Sequence, residues 1–389
     1  MKYLGGYITA AVLGVITWVF MRFGEQFSNL VDMVYPYVIR TVQGFLAQWS
    51  IGVDFLIWQL LAVVLVVVIL ATLVIVVACK RSVISWGGWV LSALSFLYLM
   101  HTLVYGLNYY AGPLADDIRL EVAQYTLEEL ADATEYYRER ANILAMLVDR
   151  DASGNVDFEE FDVLARQAGE GFDKLTYNRS YSVFAGSKLP VKKLGLADMY
   201  TSMGITGYTF GLTGEAAVNP QIPDIALPFT MAHEMAHRMC IAPERDANFA
   251  AYLACSVHSS VEFEYSANFM AYMYCYNALS QISTKASAEA ASAISKGVSD
   301  LLQRDLAYYN TFFMKHQTKA ATNFADTVND TYLKTSGDKA GIASYGQVCD
   351  LLVNWHIQEV VLPSIAVEEE LFDPYDENQV DLSGIVNAR

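Results

Sequence analysis

The chain has 389 residues, of which 54% are hydrophobic, and its 25 Lys and Arg against 42 Asp and Glu give a net charge of −17. This length allows more than one structural unit, and the apolar fraction is high for a soluble protein. Residues 1–107 hold only 5 of the basic and 3 of the acidic residues, so the remainder is strongly acidic. That balance argues against nucleic acid or an anionic surface as a partner of the acidic part.

Three apolar stretches near the start are each long enough to cross a membrane as a helix. They span about residues 3–20, 55–79 and 83–107, and a spanning helix needs roughly 18 or more apolar residues. We therefore predict a transmembrane region at residues 1–107. A cleaved signal peptide is the alternative for the first stretch, but no small-x-small cleavage site precedes Arg22.

The few basic residues beside these stretches predict the orientation in the membrane. Lys and Arg near membrane helices are retained in the cytoplasm, and Lys2, Lys80 and Arg81 lie at ends that fit this side. Residues 22–53 and everything after residue 107 then lie outside. We predict a multi-pass protein of the cell membrane with an extracytoplasmic main domain.

Residues 108–372 predict a mainly helical domain of α+β type. Good helix formers and apolar residues at helical spacing mark residues 126–148. The pattern is helical again from Pro228 almost to Glu370. Breaks in this second part are predicted near Pro243, residues 258–260, residues 336–341 and Pro363.

A small β element separates the two helical parts. Residues 186–223 are rich in Gly, Thr and Tyr, and residues 200–210 predict a strand that is followed by turns at residues 211–214. The last residues, 373–389, are acidic and polar, and they predict a loosely ordered tail.

Residues 149–160 match the calcium-binding loop of an EF-hand at every informative position. Gly154 supplies the sharp turn, and Val156 occupies the position that packs inward. We predict a Ca²⁺ site of the weak extracellular class, with a Kd of roughly 10⁻⁴ to 10⁻³ M. An acidic connection between two helices is the alternative, because EF-hands usually occur in pairs and the chain shows one loop. The predicted oxygen ligands are Asp149, Asp151, Ser153, Asn155 through its carbonyl, Asp157 and Glu160.

Residues 233–237, HEMAH, have the spacing of a metal site on a helix. Positions four apart lie on one helix face, so His233 and His237 can bind one ion. Zinc in such a site lowers the pKa of a bound water to roughly 7, and Glu234 stands where it can accept the proton. The pattern therefore predicts hydrolysis of an amide bond with Glu234 as the general base. A polar helix face that carries these five letters by chance is the alternative.

A catalytic zinc site needs a third protein ligand, and two similar stretches each offer a glutamate. ERDANFAAYLAC at residues 244–255 and EYSANFMAYMYC at residues 264–275 share the pattern Glu-x-x-Ala-Asn-Phe-x-Ala-Tyr. Glu244 directly follows the turn after the histidine pair, and this position favours it over Glu264. Glu264 stays an alternative.

The spacing within the first stretch assigns roles to its polar residues. Glu244 and Asp246 cannot both face the ion in a helix, because positions two apart point in different directions by about half a turn or more. We predict Glu244 as the zinc ligand and keep Asp246 as an alternative ligand or a supporting residue. Asn248 shares a helix face with Glu244, so we expect it to hydrogen-bond a ligand from outside the coordination shell.

These motifs resemble the bacterial membrane-anchored family catalogued as domain of unknown function 3810. The resemblance covers roughly residues 107–355. It implies a zincin-like metallopeptidase of the gluzincin type, with His233, His237 and Glu244 on zinc and Glu234 as the base. Where the family pattern leads us to expect Gly after the second histidine, the chain has Cys240. The matching segments are residues 204–210, 214–219, 227–237, 244–255, 265–266, 328–334 and 344–346.

The predicted function is a membrane-anchored zinc metallopeptidase that acts on an unidentified peptide or protein substrate. Tyr265 and Tyr345 are the candidate donors to the oxyanion of the transition state. The alternative is a non-catalytic binding or sensor protein of the membrane, in which zinc, calcium or both are structural.

Overall fold

The computed structural model describes residues 4–338, 340, 343 and 346–364. The predicted tail and residues 365–372 of the predicted domain lie outside these residues. The N-terminal region forms the helices α1 (Gly5–Arg22), α2 (Ser28–Val34), α3 (Arg40–Ser50), α4 (Ile57–Ala78) and α5 (Val83–Val104). Helices α1, α4 and α5 are long and apolar enough to cross a membrane. They agree with the three predicted stretches and indicate that the chain associates with a membrane.

Helices α2 and α3 form one continuous run, joined by a single π turn at Tyr35–Ile39. Pro36 has no N–H to donate to the carbonyl four residues earlier, and a wider turn accommodates its ring. From the sequence, residues 22–53 were predicted to lie outside the membrane, without a secondary structure. Most of this segment is helical.

The rest of the chain folds into a mainly helical body with a small sheet. Its first helices are α6 (Leu114–Ile118), α7 (Leu127–Leu144), α8 (Phe161–Gln167), α9 (Glu170–Asn178) and α10 (Ala197–Met203). The later helices are α11 (Leu227–Arg238), α12 (Glu244–Ser256), α13 (Val261–Gln281), α14 (Lys285–Lys296), α15 (Asp300–His316), α16 (Lys319–Ser336) and α17 (Val348–His356). The strands are β1 (Lys192–Lys193), β2 (Gly207–Phe210) and β3 (Glu215–Val218).

Helix α7 confirms the helix predicted from residue 126. The Thr126 side chain accepts a hydrogen bond from the Glu129 backbone N–H, and the Glu129 carboxylate accepts one from the Thr126 N–H. This capping box satisfies two N–H groups that a helix start leaves unpaired. The helix ends at Leu144, four residues before the predicted end, and the chain then enters the acidic loop.

The strand predicted at residues 200–210 is shorter in the structure. Residues 200–203 belong to α10, which ends at Gly204 with a φ of +76°, a backbone conformation that favours glycine. The prediction was wrong for this part because α10 packs against α16, and tertiary packing outweighs the weak strand preference of Tyr and Thr. The strand β2 begins only at Gly207.

The three strands form one sheet in the order β1-β3-β2. Strand β1 runs parallel to β3, and β2 runs antiparallel to it with Thr209 opposite Ala216. The central strand β3 is buried along its whole length, and both β2 and β3 lie against α11. Among the described residues, β2 has no strand on its outer side, so this edge can accept another strand. A mainly helical fold with a small sheet ahead of α11 was predicted and is confirmed.

A buried ion pair ties the sheet to α4. Lys192 Nζ lies 2.9 Å from Glu215 Oε1 and also donates to two backbone carbonyl oxygens ahead of α4. The Glu215 carboxylate accepts hydrogen bonds of 2.9 Å from the backbone N–H groups of Ile57 and Trp58. These N–H groups have no partner within α4 itself. One carboxylate therefore holds the sheet to the start of a membrane-length helix.

Replacing Lys192 with Met is expected to lower the free energy of unfolding by about 3–5 kcal/mol, because Glu215 would stay buried and charged without its partner. Lys193 provides the matched control, since its ammonium pairs with the exposed Asp162 and such surface pairs contribute about 0–1 kcal/mol. Denaturant titration of K192M and K193M in one detergent compares the two variants. Equal losses of stability would contradict the role given to the buried pair.

Candidate metal centre

Helix α11 presents two histidines on one face. It carries Pro228 in its first turn. A backbone N–H at this position would have no acceptor within the helix, so its absence in proline costs nothing. His233 and His237 lie one turn apart, with ring centroids separated by 4.5 Å. The helix predicted from the HEMAH spacing is confirmed, and most of its residues are buried.

A tight turn after α11 returns the chain to this face. The Ile241 carbonyl oxygen lies 2.8 Å from His237 Nδ1. A carbonyl only accepts hydrogen bonds, so Nδ1 is the donor and Nε2 stays available for a metal. Cys240 has a φ of +72°, a conformation that favours the glycine expected here. Pro243 then precedes α12, whose first residue is Glu244.

Three ligand atoms converge between α11 and α12. Glu244 Oε2 lies 3.2 Å from His233 Nε2 and 3.5 Å from His237 Nε2, and two donors bound to one tetrahedral zinc at about 2.1 Å are roughly 3.4 Å apart. Neither contact has hydrogen-bond geometry, so the buried Oε2 atom has no hydrogen-bond partner. In the described part of the chain, this is the one group of three His, Cys, Asp or Glu side chains whose ligand atoms all lie within 4.8 Å of one another.

The charges of this group are coupled. Burial lowers the pKa of His237, but the neighbouring Glu244 carboxylate outweighs burial and brings that pKa to about 9. Burial also acts to raise the pKa of Glu244, but His237 and His233 together hold it well below its usual range. Without a cation, the group therefore keeps a carboxylate beside a protonated imidazole, and a divalent cation would take the place of that proton.

Glu234 lies at the boundary between α11 and β2. Its side chain is buried, and Oε2 accepts a hydrogen bond of 2.7 Å from the Thr209 hydroxyl. A Cβ added at Gly207 would lie 2.4 Å from Glu234 Oε1, so only glycine lets the β2 backbone approach this carboxylate. Burial raises the pKa of Glu234, although the two histidines and Thr209 oppose that shift. The Glu234 carboxylate therefore lies near the histidines, and burial favours its protonated form.

The structure distinguishes the three candidates for the third ligand. Glu244 adjoins the histidine pair, as described above. Asp246 Oδ2 instead accepts a hydrogen bond of 3.1 Å from the Leu114 backbone N–H at the start of α6. Glu264 forms an ion pair with Arg140 of α7. Asp246 and Glu264 are therefore engaged elsewhere, and Glu244 is the carboxylate that the fold brings to the histidines.

Asn248, which we predicted to support a ligand, is buried one turn after Glu244 in α12. Its Nδ2 atom has no hydrogen-bond partner among the described residues. The structure therefore places this amide on the same helix as the ligand carboxylate but shows no hydrogen bond between them. The Asp246 carboxylate likewise accepts its hydrogen bond from the start of α6 and not from the histidine pair.

The two predicted oxyanion donors have different outcomes. The Tyr265 hydroxyl donates to Asp305 Oδ2 at 2.5 Å, and Asp305 also pairs with Arg150. A hydroxyl has one hydrogen to donate, and in this structure Asp305 accepts it, so the role of Tyr265 as an oxyanion donor stays a prediction. Tyr345 lies outside the described residues.

Three residues near the group were missed in the sequence. Thr209 positions Glu234, and both Tyr105 and Tyr274 lie within electrostatic range of Glu244. Tyr105 directly follows α5, so it was counted with an apolar stretch. Tyr274 lies on α13 within the second copy of the repeated pattern, and it was interpreted there as a packing residue. The only indication of Tyr105 and Tyr274 in the sequence was the unusual number of tyrosines, 25 in the chain.

The acidic loop has part of the predicted EF-hand geometry. The Asp151 carboxylate accepts hydrogen bonds from the Ser153 and Asn155 backbone N–H groups at 2.8 and 2.9 Å, and Gly154 has a φ of +80°. The Arg150 guanidinium donates to the Gly154 carbonyl at 3.1 Å. In the described residues, no three of the loop's carboxylates come within ligand distance of one another, so the calcium site stays a prediction. The other predicted side-chain ligands are Asp149, Asp157 and Glu160.

Fold and site together define a mainly helical, membrane-associated protein with a buried His-His-Glu group. The chain belongs to the family described as "Protein of unknown function (DUF3810)", which matches residues 31–353. This range contains α11, α12 and the sheet, and it agrees with the resemblance drawn from the motifs. No curated protein and no solved structure matches the chain.

Proposed function

We propose that this protein is a membrane-anchored zinc metallopeptidase. One observation carries the proposal: Glu244 Oε2 lies 3.2 and 3.5 Å from the Nε2 atoms of His233 and His237, close to the spacing of two ligands on one zinc ion, and ligand atoms of all three residues lie within 4.8 Å of one another. Two histidines and a glutamate are a ligand set of catalytic zinc, and three protein ligands leave a fourth position open. Glu234 beside that position supports a catalytic site over a structural one.

The chemistry divides between the metal and the chain. Zinc, when bound, lowers the pKa of a bound water to roughly 7. Glu234 accepts the proton of the attacking water and delivers it to the leaving amine. The hydrogen bond from Thr209 fixes the orientation of this carboxylate.

The open edge of β2 supports a peptide as the substrate. An extended peptide can add to a free strand edge through main-chain hydrogen bonds. Gly207 and Thr209 of β2 both adjoin Glu234. In a peptide bound as a strand along β2, the scissile bond would therefore lie beside Glu234, the proposed general base.

The contacts of the membrane-length helices support the proposed orientation. Glu215 binds the first residues of α4, and the body continues directly from the end of α5. The body therefore adjoins the start of α4 and the end of α5, whereas Lys80 and Arg81 occupy the turn at their other ends. Because basic residues are retained in the cytoplasm, we place the body on the extracytoplasmic side.

Replacing Thr209 with Val is expected to lower the hydrolysis rate by about 10- to 100-fold at unchanged zinc content, the range typical of residues that orient groups at a metal site. Valine keeps the shape of the side chain and removes the hydroxyl that holds Glu234. T209S is the control, because it retains the hydroxyl and should keep most of the activity. Loss of activity in T209S equal to that in T209V would point to strand packing instead.

Two assays on the full-length protein test the proposed function. Fluorescent casein in detergent reports general hydrolysis, and mass spectrometry of protein N-termini in isolated membranes reports natural cleavage sites. We expect zinc-dependent cleavage by the wild type that is absent in E234Q. A zinc-loaded wild type that cleaves no more than E234Q in both assays would contradict a peptidase and favour the binding or sensor alternative.

A further inference from the structure

A long amphipathic helical run connects α1 to α4. It covers residues 28–50 and consists of α2, the π turn and α3. Its inner side meets the body closely: the Gln43 side chain donates to the Gly211 carbonyl at 2.7 Å, and a Cβ added at Gly214 would lie 2.4 Å from the Gln43 carbonyl oxygen. The buried positions recur at the spacing of one helix face, and they are Val31, Tyr35, Gln43, Ala47 and Ser50.

The outer side of this run is apolar and rich in aromatic residues. Tyr37 and Trp49 are 76% and 75% exposed. Contiguous exposed apolar surfaces of this kind are uncommon on soluble proteins and mark contacts with other surfaces. We call these residues the outer face, and its large members are Leu30, Met33, Tyr37, Phe45 and Trp49.

The outer face carries no charge, although the chain as a whole has a net charge of −17. Residues 28–50 contain two charged residues, Asp32 and Arg40. Asp32 accepts a hydrogen bond of 2.9 Å from the Gly112 N–H, just after α5. Arg40 donates to two backbone carbonyl oxygens of the body, each at 3.1 Å. Both charges are therefore hydrogen-bonded to other parts of the protein, and neither belongs to the outer face.

The position of the run in the chain indicates what covers the outer face. The run follows α1 and precedes α4, two helices of membrane length, so it lies at the level where both reach the membrane surface. Trp and Tyr concentrate at this level. An amphipathic helix that lies there buries its apolar side about 5–10 Å into the boundary between headgroups and acyl chains.

We propose that the outer face of residues 28–50 is embedded in the surface layer of the lipid bilayer and holds the body flat against the membrane. The inner side supplies the polar face that such a helix normally presents to water. Here that face is covered by the body, which explains why the run has one Arg and no Lys in place of the several basic residues usual on surface helices.

This placement narrows the substrate class, and that step rests on the proposed peptidase function. Trp58 in the first turn of α4 packs on Tyr208 and Phe210 of β2, with ring centroids 5.6 and 5.4 Å apart. Tyr105, directly after α5, lies against Gly211, the residue that follows β2. The strand beside Glu234 thus adjoins the ends of two membrane-length helices. The fitting substrate is the extended segment of a membrane protein next to its membrane span.

Spin labels test the lipid contact independently of any activity. Cys79 is the exposed cysteine and the other four are buried, so a C79S background allows single labels at Y37C and W49C. Y177C and M314C are matched controls on the body, because Tyr177 and Met314 are 77% and 75% exposed. The protein is placed in phosphatidylcholine nanodiscs. For each spin label, the rate of collision with oxygen is compared with the rate of collision with a water-soluble nickel complex.

We expect the labels at positions 37 and 49 to collide more often with oxygen, and the labels at positions 177 and 314 to collide more often with the nickel complex. Dominance of the nickel complex at positions 37 and 49 would place the outer face in water and overturn the proposal. Protection from both reagents would also overturn it, since a second copy or another protein would then cover the face.

The N-terminal mapping in membranes tests the substrate class separately. Cleavage sites that depend on Glu234 are expected within about 15 residues of a membrane span, a reach of roughly 50 Å for an extended chain. Glu234-dependent sites spread evenly through soluble domains would contradict this substrate class and leave the peptidase function standing. Absence of any such site, together with no Glu234-dependent cleavage of casein, would contradict both.

Discussion

Replacing Glu234 with Gln is expected to reduce hydrolysis by about 100- to 10,000-fold, the contribution typical of a general acid or base, while one zinc per chain remains bound. Glutamine keeps the shape of the side chain and its contact with Thr209, but it cannot accept the proton of the attacking water. Glu234 is separate from the three ligand atoms, so the metal should be unaffected. Cleavage rates and elemental analysis of the same E234Q sample provide the measurement.

Two results for this variant would contradict the role of Glu234. Hydrolysis at the wild-type rate would place the general base elsewhere. Loss of zinc would mean that the carboxylate is needed for binding the metal and not for proton transfer. T209S, whose hydroxyl is retained, serves as the active control from the same part of the site.

Replacing Glu244 with Gln is expected to weaken zinc binding by more than about 100-fold, because loss of a direct ligand should exceed the 10- to 100-fold effect of residues that only support a ligand. The carboxylate lies 3.2 and 3.5 Å from the two Nε2 atoms, and its Oε2 atom has no other partner. Competition with a zinc chelator measures the change in affinity.

Glu264 offers a matched control for this ligand assignment. It begins the second copy of the repeated pattern and forms an ion pair with Arg140. E264Q should therefore keep the zinc affinity of the wild type. Loss of affinity in E264Q, with retention in E244Q, would reverse the assignment of the third ligand.

The sequence was sufficient where the chemistry depends on local spacing. His233 and His237 are four positions apart, and the helix that unites them needs only the periodicity of α11. The three membrane-length helices were equally predictable, because length and apolar composition determine them. The capping residues Thr126 and Glu129 likewise identify the start of α7 within a few positions.

The sequence was not sufficient where distant segments decide the role of a residue. Glu244 and Glu264 head nearly identical stretches, and only the contact of Glu264 with Arg140, 124 positions away, removes it from the metal group. The hydrogen bond from the Tyr265 hydroxyl to Asp305 on α15 likewise joins distant segments of the chain. No local pattern records such pairings.

The outer face of residues 28–50 shows a related limit. The charged and apolar residues of the whole run follow a helical spacing, but Pro36 and the π turn interrupt the regular period and hide it. The segment also looks like a simple connection, since its meaning depends on how the body covers the inner side. Structure was needed to show that the two charges are hydrogen-bonded to other parts of the protein and the aromatic residues are exposed.

The most direct test of the central claim is X-ray absorption at the zinc edge on the purified full-length protein. We expect one zinc per chain, with nitrogen and oxygen ligands at roughly 2.0–2.2 Å and the scattering pattern of two imidazoles. The same measurement on E244Q should show little zinc. A protein that takes up no zinc, or one whose zinc has sulfur ligands at roughly 2.3 Å, would contradict the assignment of His233, His237 and Glu244.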